Sequence, residues 1–465
     1  MASKDGQRVW VRIVATLGLT AMAATFLALD ALRQAGAGSF TAYLLVTPLL
    51  AALIASGIRP SPGVGDTEFD WILAIFFASG GLLTIELLSR RLPTLAGLWH
   101  WDHYVPLVWA MAAGMVLFSA RHVLRLWRAW AFTLCCVPVM PFLLLTSQLG
   151  GTEDDAIAAA ATLGTVAVYL ATSTFARHWR LTAALINLAV ALGLDLLMDL
   201  PDVLPRIAVA AGVVPVMSVI SVRRAAHTRI AASIAAHPAR GVTRFPRVGA
   251  RSYAVLLLLA VSMLLFSPPP VSAVRGPVAV PADWVSRLGL QRSAEFSFIS
   301  GFLGPGAELT RYVLPAPTAH PAVAIDVITA PNSARLDDYA DAVWYPSATP
   351  VNYRPAGGGG PGGIDVRSAH SDPDAIGAGA SGQWFALTWT WLAGEEHQRV
   401  TVVVNQDVAA AAAPAPQPVG WTNSLLEPML WLTRQQPAPT GIVPNRVART
   451  ADDVAQTILA VGGGR

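Results

Sequence analysis

The sequence predicts a polytopic α-helical membrane domain, with about nine spans of ~20 apolar residues each, followed by an extracytoplasmic α+β domain. Three observations predict it. Hydrophobic residues make up 54% of the 465 and charged residues only 13%, whereas a soluble domain carries roughly a quarter charged. The deficit is uneven. Residues 1–267 are apolar runs separated by short polar links, and residues 283–465 have the composition of a water-soluble domain. The Pro-rich stretch 268–282, "SPPPVSAVRGPVAVP", reads as a stiff extended linker between them. The third observation is where the basic residues fall.

Apolar runs long enough to span fall at approximately 11–30, 38–57, 71–89, 104–120, 129–147, 156–176, 181–198, 203–221 and 252–267. The first follows Lys4, Arg8 and Arg12 and lacks a small-residue cleavage site, so it reads as a span and not as a removed signal. The eighth contains Pro215, and neighbouring helices can satisfy the carbonyl it frees. With the N-terminus in the cytoplasm, the inner side holds Lys4, Arg8, Arg12, Arg59, Arg121, Arg125, Arg128, Arg177, Arg180, Arg223, Arg224, Arg229, Arg240, Arg244, Arg247 and Arg251. The outer links hold Arg33, Arg90, Arg91 and Arg206. Such a bias orients a multi-pass protein in the cytoplasmic membrane and puts the C-terminal domain outside.

Lys4 is the only lysine among abundant Ala, Gly and Pro, the signature of a GC-rich bacterial genome. The net charge of +3 includes no basic block of nucleic-acid type, so the expected partner is the lipid bilayer and not nucleic acid. Cys135 and Cys136 point about 100° apart on a helix and read as a buried structural pair. The outer domain has no cysteine, which excludes a disulfide framework there.

Ionisable residues at membrane depth are expensive and often functional. Most acidic ones here fall at the outer ends of spans: Asp30, Glu86, Asp102, Glu153, Asp154, Asp155, Asp195, Asp199 and Asp202. Asp195 and Asp199 share a helical face and call for a cation, with Arg90, Arg91 or Arg206 in reach of the same level. "LWHWDHY" at 98–104 adds His100, Asp102 and His103, a donor set that suits zinc or another divalent metal, or a general acid–base role for one histidine. No H-E-x-x-H pattern accompanies it. The candidate catalytic set is therefore His100, His103, Asp102, Asp195, Asp199 and Arg206. The competing reading makes these interface charges that fix helix ends, with Trp99, Trp101 and Tyr104 as the aromatic collar of a membrane helix.

In the outer domain, "AVAIDVITA" at 322–330 reads as a strand and 383–407 as a hairpin turning at "AGEEHQ". Phe385, Leu387, Trp389 and Trp391 alternate on one arm, and Val400, Val402 and Val404 on the other. "PAGGGGPGG" at 355–363 reads as a flexible loop and 409–420 as a second linker-like stretch. "VWYPSATPVNY" at 343–353 reads as packing against a loop, or as a groove for a glycan or peptide. Residues 421–433 read as an amphipathic helix broken by Pro428. "TADDVAQTILAVG" at 450–462 reads as a helix capped by Thr450, with Asp453 completing a capping box. No G-x-S-x-G, S-x-x-K or Walker A pattern is present.

"SFTAYLLVTPLLAALIASGIRP" resembles the second helix of the exosortase/archaeosortase family, with its aromatic start and arginine stop. "GMVLFSARHVLRLWRAWAFTLCCVPVMP" resembles that family's basic link and the proline-ended helix after it. The strand "WFALTWTWLAG" is similar to part of the extracytoplasmic companion domain found with exosortases. The resemblance implies a membrane transpeptidase that processes sorting signals on exported proteins, using a cysteine in a Cys-Ser-Gly setting and a downstream arginine and histidine. Here Cys135 and Cys136 are followed by Val137 and Pro138, so no catalytic residue carries over.

The leading expectation is thus a bacterial cell-envelope protein whose outer domain assists processing or assembly of exported proteins or glycans. The alternatives are an exosortase-like transpeptidase or metal-dependent enzyme at the outer face, and a transporter. A transporter calls for charges at mid-membrane and a helical repeat, and the sequence presents neither.

Overall fold

The computed structural model describes residues 4–58, 67–198, 200, 202–231, 248–266, 277–314, 321–347, 351–356, 363–371, 383–427, 430 and 443–462. The N-terminal half is helical, and an antiparallel sheet domain follows. The chain divides into two compact units: Met1–Leu87 with His100–Val139 and Ala156–Ala273, and Leu88–Trp99 with Met140–Asp155 and Val274–Arg465.

Among the described residues, four helices are long and apolar enough to cross a membrane: Thr67–Arg91, Glu153–Ala171, Arg177–Leu197 and Val203–Ala225. Two bent pairs raise the number to 6 if each pair is one span. These helices are compatible with a transmembrane protein. Two runs read as full spans form shorter apolar helices, Phe40–Ser56 and Ala250–Phe266, and a third forms the 15-residue Tyr104–Phe118.

Two runs that read as straight helices are bent. The first breaks by 77° between Trp10–Ala23 and Thr25–Gly36. Thr16, Thr20 and Thr25 each donate a hydroxyl back to a carbonyl of the preceding turn, a competition that bends helices. Asp30 consequently sits inside the second arm. The other bend, of 62°, separates Trp127–Cys136 from Val139–Leu149. Pro138 cannot donate to the Leu134 carbonyl. The Tyr104 hydroxyl takes that carbonyl at 3.2 Å, and the Tyr43 hydroxyl takes that of Cys136 at 2.8 Å. The cysteines are not a buried pair: Cys136 is buried and Cys135 exposed, because neighbours on a helix face different sides.

The helical unit packs on small residues. Ala159, Ala160, Ala161 and Ala167 are buried on one helix, and a Cβ on Gly164 would stand 2.7 Å from the ring of Pro215. Close backbone approach of this kind is how helices associate where lipid removes the hydrophobic drive. Just before Pro215 the chain forms a π-helical segment, Ala208–Val213. The apolar surface points outward, with Phe76, Ile72, Leu185 and Leu258 all more than 60% exposed.

The second unit is built on a single sheet. Its strands are β1 (Ala279–Val280), β2 (Gln291–Glu295), β3 (Glu308–Val313), β4 (Val323–Ala330), β5 (Arg354–Pro355), β6 (Arg367–His370), β7 (Trp384–Ala393) and β8 (Glu396–Asn405). They run in the order β2-β3-β4-β8-β7-β6-β5, antiparallel throughout, with β1 parallel to β7. The long hairpin forms as the alternation requires. Phe385 faces Val404, Leu387 faces Val402 and Trp389 faces Val400.

That face meets the C-terminal helix, Asn445–Gly462, through Val447, Ala451, Ala455, Ile458 and Leu459. The helix starts five residues before the expected cap. Thr450 lies within it and donates to the Arg446 carbonyl at 2.8 Å, because Val447 extends the apolar stripe upstream. β1 lies inside the stretch read as linker. Pro428 and residues 357–362 lie outside the described residues.

The opposite face holds Tyr345, Val351, Trp384, Ala386, Val403 and Ala413. Tyr345 and Val351 thus give "VWYPSATPVNY" a packing role. At its centre, Arg311 grips Asp326 with two hydrogen bonds of 2.7 Å and donates to the carbonyls of Ala413 and Pro414. Stretch 409–420, read as linker-like, is held to the sheet by that arginine. The Tyr345 hydroxyl donates to Asp326 at 2.7 Å. Burial, and then the Asp326 charge, push its phenol well above its ordinary range.

Within this unit the helical stretches Leu88–Trp99 and Met140–Asp155 bond to the sheet domain. Arg335 pairs with Glu153 at 3.1 Å, Tyr339 donates to the Leu143 carbonyl at 3.3 Å, and the Trp99 indole donates to the Ser424 carbonyl at 3.1 Å.

Candidate functional site

The Thr67–Arg91 helix stops before Pro93, and a short helix, Pro93–Trp99, follows. His100 then adopts φ +50°, ψ +55°, the left-handed region usually given to glycine at a helix end. Trp101–His103 makes one 3₁₀ turn, closed by the His103 N–H on the His100 carbonyl at 3.0 Å. In a 3₁₀ turn residues three apart eclipse. The rings of His100 and His103 accordingly meet edge to face, with centroids 5.4 Å apart.

Asp102 completes the group. One ligand atom each from His100, Asp102 and His103 lies within 4.8 Å of the other two. His103 Nδ1 is 3.3 Å from Asp102 Oδ1, and the Asp102 side chain is 61% exposed. Packed neighbours raise the Asp102 carboxyl. The hydrogen bond and charge of His103, with the charge of His100, outweigh them and hold it below the usual carboxylate range. Asp30 lies within electrostatic reach of Asp102 and His103.

Tetrahedral ligands ~2.1 Å from zinc stand ~3.4 Å apart, and catalytic zinc keeps three protein ligands and an open position. A non-glycine residue held in the left-handed region costs of order 1–3 kcal/mol and tends to occur at functional positions.

The other sequence-derived candidates form a separate pair. Arg206 grips Asp195 with Nε–Oδ1 at 2.8 Å and Nη2–Oδ2 at 2.9 Å, both side chains largely buried. Asp195 and Arg206 are not members of the His100–Asp102–His103 group. Asp199 lies outside the described residues. Glu153 and Asp155 act at a helix start: Glu153 meets Arg335, and Asp155 and Thr152 cap each other reciprocally. Trp99, read as a headgroup anchor, donates instead to Ser424.

Sequence reasoning passed over Asp70. It is 3% exposed and accepts from the Ser119 hydroxyl and the Ala120 N–H, at 3.1 and 2.8 Å. Its second oxygen is buried with no hydrogen-bond partner among the described residues. Arg12 donates to the Leu117 carbonyl at 2.8 Å. Together they brace the chain at Ser119, where φ is +87°. The available signal was an acid four residues into an apolar helix.

The chain matches no family model, no curated protein and no solved structure.

Proposed function

We propose that this protein is a multi-pass component of a bacterial cytoplasmic membrane, with nine crossings. It presents its sheet domain on the outer face to assist processing or assembly of exported proteins or glycans. The observation that carries the reading is the pairing of apolar helices with a sheet domain. The sequence supports it, since most basic residues before 267 fall in the links that the nine-span reading puts on one side. Reporter fusions at the C-terminus test the placement. Alkaline phosphatase should be active there and a cytoplasmic fluorescent reporter dark. The reverse overturns the topology. Deleting residues 283–465 should abolish complementation of a deletion strain, and unchanged function would sink the envelope role.

A second reading rests on the His100–Asp102–His103 group: a divalent-metal site of zinc type, serving an enzyme at the outer membrane surface. Purified protein titrated with zinc should bind one ion tightly, and His100→Ala with His103→Ala should lose that binding. Equal zinc uptake by the double variant rejects the site. An exosortase-like transpeptidase would call for a cysteine in a Cys-Ser-Gly setting, and neither cysteine here is followed by Ser-Gly.

A further inference from the structure

The helical unit carries one long apolar groove, with a volume of about 670 Å³. One wall is the Arg177–Leu197 helix, through Trp179, Ile186 and Leu194; the other is the following helix, through Val214, Met217 and Ala225. Trp179 to Leu194 is fifteen residues, or roughly 22 Å of helix, longer than the ~15 Å depth of one leaflet of a ~30 Å core. The groove exists because its floor is made of small residues, Ala183 and Ser218. Its rims are open: Ile186 and Met217 are each 56% exposed.

Net positive charge gathers at one mouth. Where Trp179 and Ala225 end the groove, Arg177, Arg180, Arg223 and Arg224 gather from the start of one wall and the end of the other. Neither 171–185 nor 218–231 contains an acidic residue. Arg180 stacks on Tyr169 at 3.9 Å and Arg223 donates to the Ser56 hydroxyl at 2.9 Å. Arg177 and Arg224 are exposed. At the other mouth Arg206 is neutralised by Asp195.

We infer that this groove holds a phospholipid with an anionic headgroup, its tail along the apolar walls and its phosphate at Arg177 and Arg224. An apolar slot with cations at one end complements such a molecule, and arginine forks suit phosphate.

The test uses the full chain in vesicles of phosphatidylcholine containing phosphatidylglycerol, with bromine placed on the tails of one lipid or the other. Brominated phosphatidylglycerol should quench tryptophan fluorescence more than brominated phosphatidylcholine. That difference should vanish in Trp179→Phe and in Arg177→Gln with Arg224→Gln, in variants with unchanged circular dichroism. Ala183→Phe, which fills the floor, should lose it without altering the arginines. Equal quenching by both lipids overturns the proposal. So does a difference that survives Trp179→Phe. Protection of Trp179 from both would mean that a second copy or another protein covers the groove, and also overturns it.

Discussion

The two units differ in what they expose: the helical unit leaves many large apolar side chains on its surface while also enclosing Phe40, Tyr43 and Trp109, and the sheet unit encloses most of its own. In the helical unit the exposed positions hold Phe, Ile and Leu, and alanine and glycine fill much of the interior. In the sheet unit Trp284, Trp384, Trp391 and five valines are fully enclosed. The difference follows from solvent. In water the drive is removal of apolar area, so the sheet buries its largest side chains. Where lipid surrounds a helix that drive is gone, and contact comes from close backbone approach at small residues. Buried polarity also differs. The sheet unit encloses a charged network around Arg311 and Asp326, whereas the helical unit has the Asp195–Arg206 pair and Asn187 bonded to Thr165 and Ser218, besides the polar residues that brace breaks in helices.

Substitutions can sharpen this contrast or break it. The largest effect is expected at Asp326→Ala. It leaves the Arg311 guanidinium buried without its carboxylate and should cost about 3–5 kcal/mol. Denaturant unfolding of the full chain, followed by tryptophan fluorescence, should show the midpoint fall. An unchanged midpoint would mean that the network contributes nothing. Next is Gly164→Val, which drives a side chain into Pro215 and should cost about 1–3 kcal/mol. Thermal unfolding in detergent reads it, and full tolerance would remove the small-residue account of helix packing. The smallest effect is expected at His103→Ala. Loss of its hydrogen bond and charge should move the Asp102 carboxyl up towards its ordinary range, seen by carboxylate infrared titration. Because the folded value is depressed, the stability this interaction contributes is present above the ordinary carboxylate pKa of ~3.9 and is lost as pH falls through the folded value.

Period and composition made the β7–β8 hairpin readable, because alternating Phe, Leu, Trp and Val fix both face and register. The His100–Asp102–His103 group was readable because its members are contiguous. The bends were not, since a hydropathy window does not see threonine back-bonding or the carbonyl that Pro138 leaves open. The Arg311–Asp326 pair lies fifteen residues apart in sequence and depends on a strand register. Its one sequence trace is an aspartate inside the apolar strand 322–330. The Asp195–Arg206 pairing was among several that spacing allowed, and only geometry selected it.

The two ends of the sheet bear on how the protein behaves when crowded. An open strand edge invites another chain to add itself, and proteins discourage this with charge, bulges, short strands and proline. β2 carries paired Arg292 and Glu295 and a register shift between Arg292 and Ala294. β5 is two residues long and contains Pro355. Neither margin offers a clean ladder to a neighbour, so overproduction of this chain should not yield fibrils seeded from the sheet.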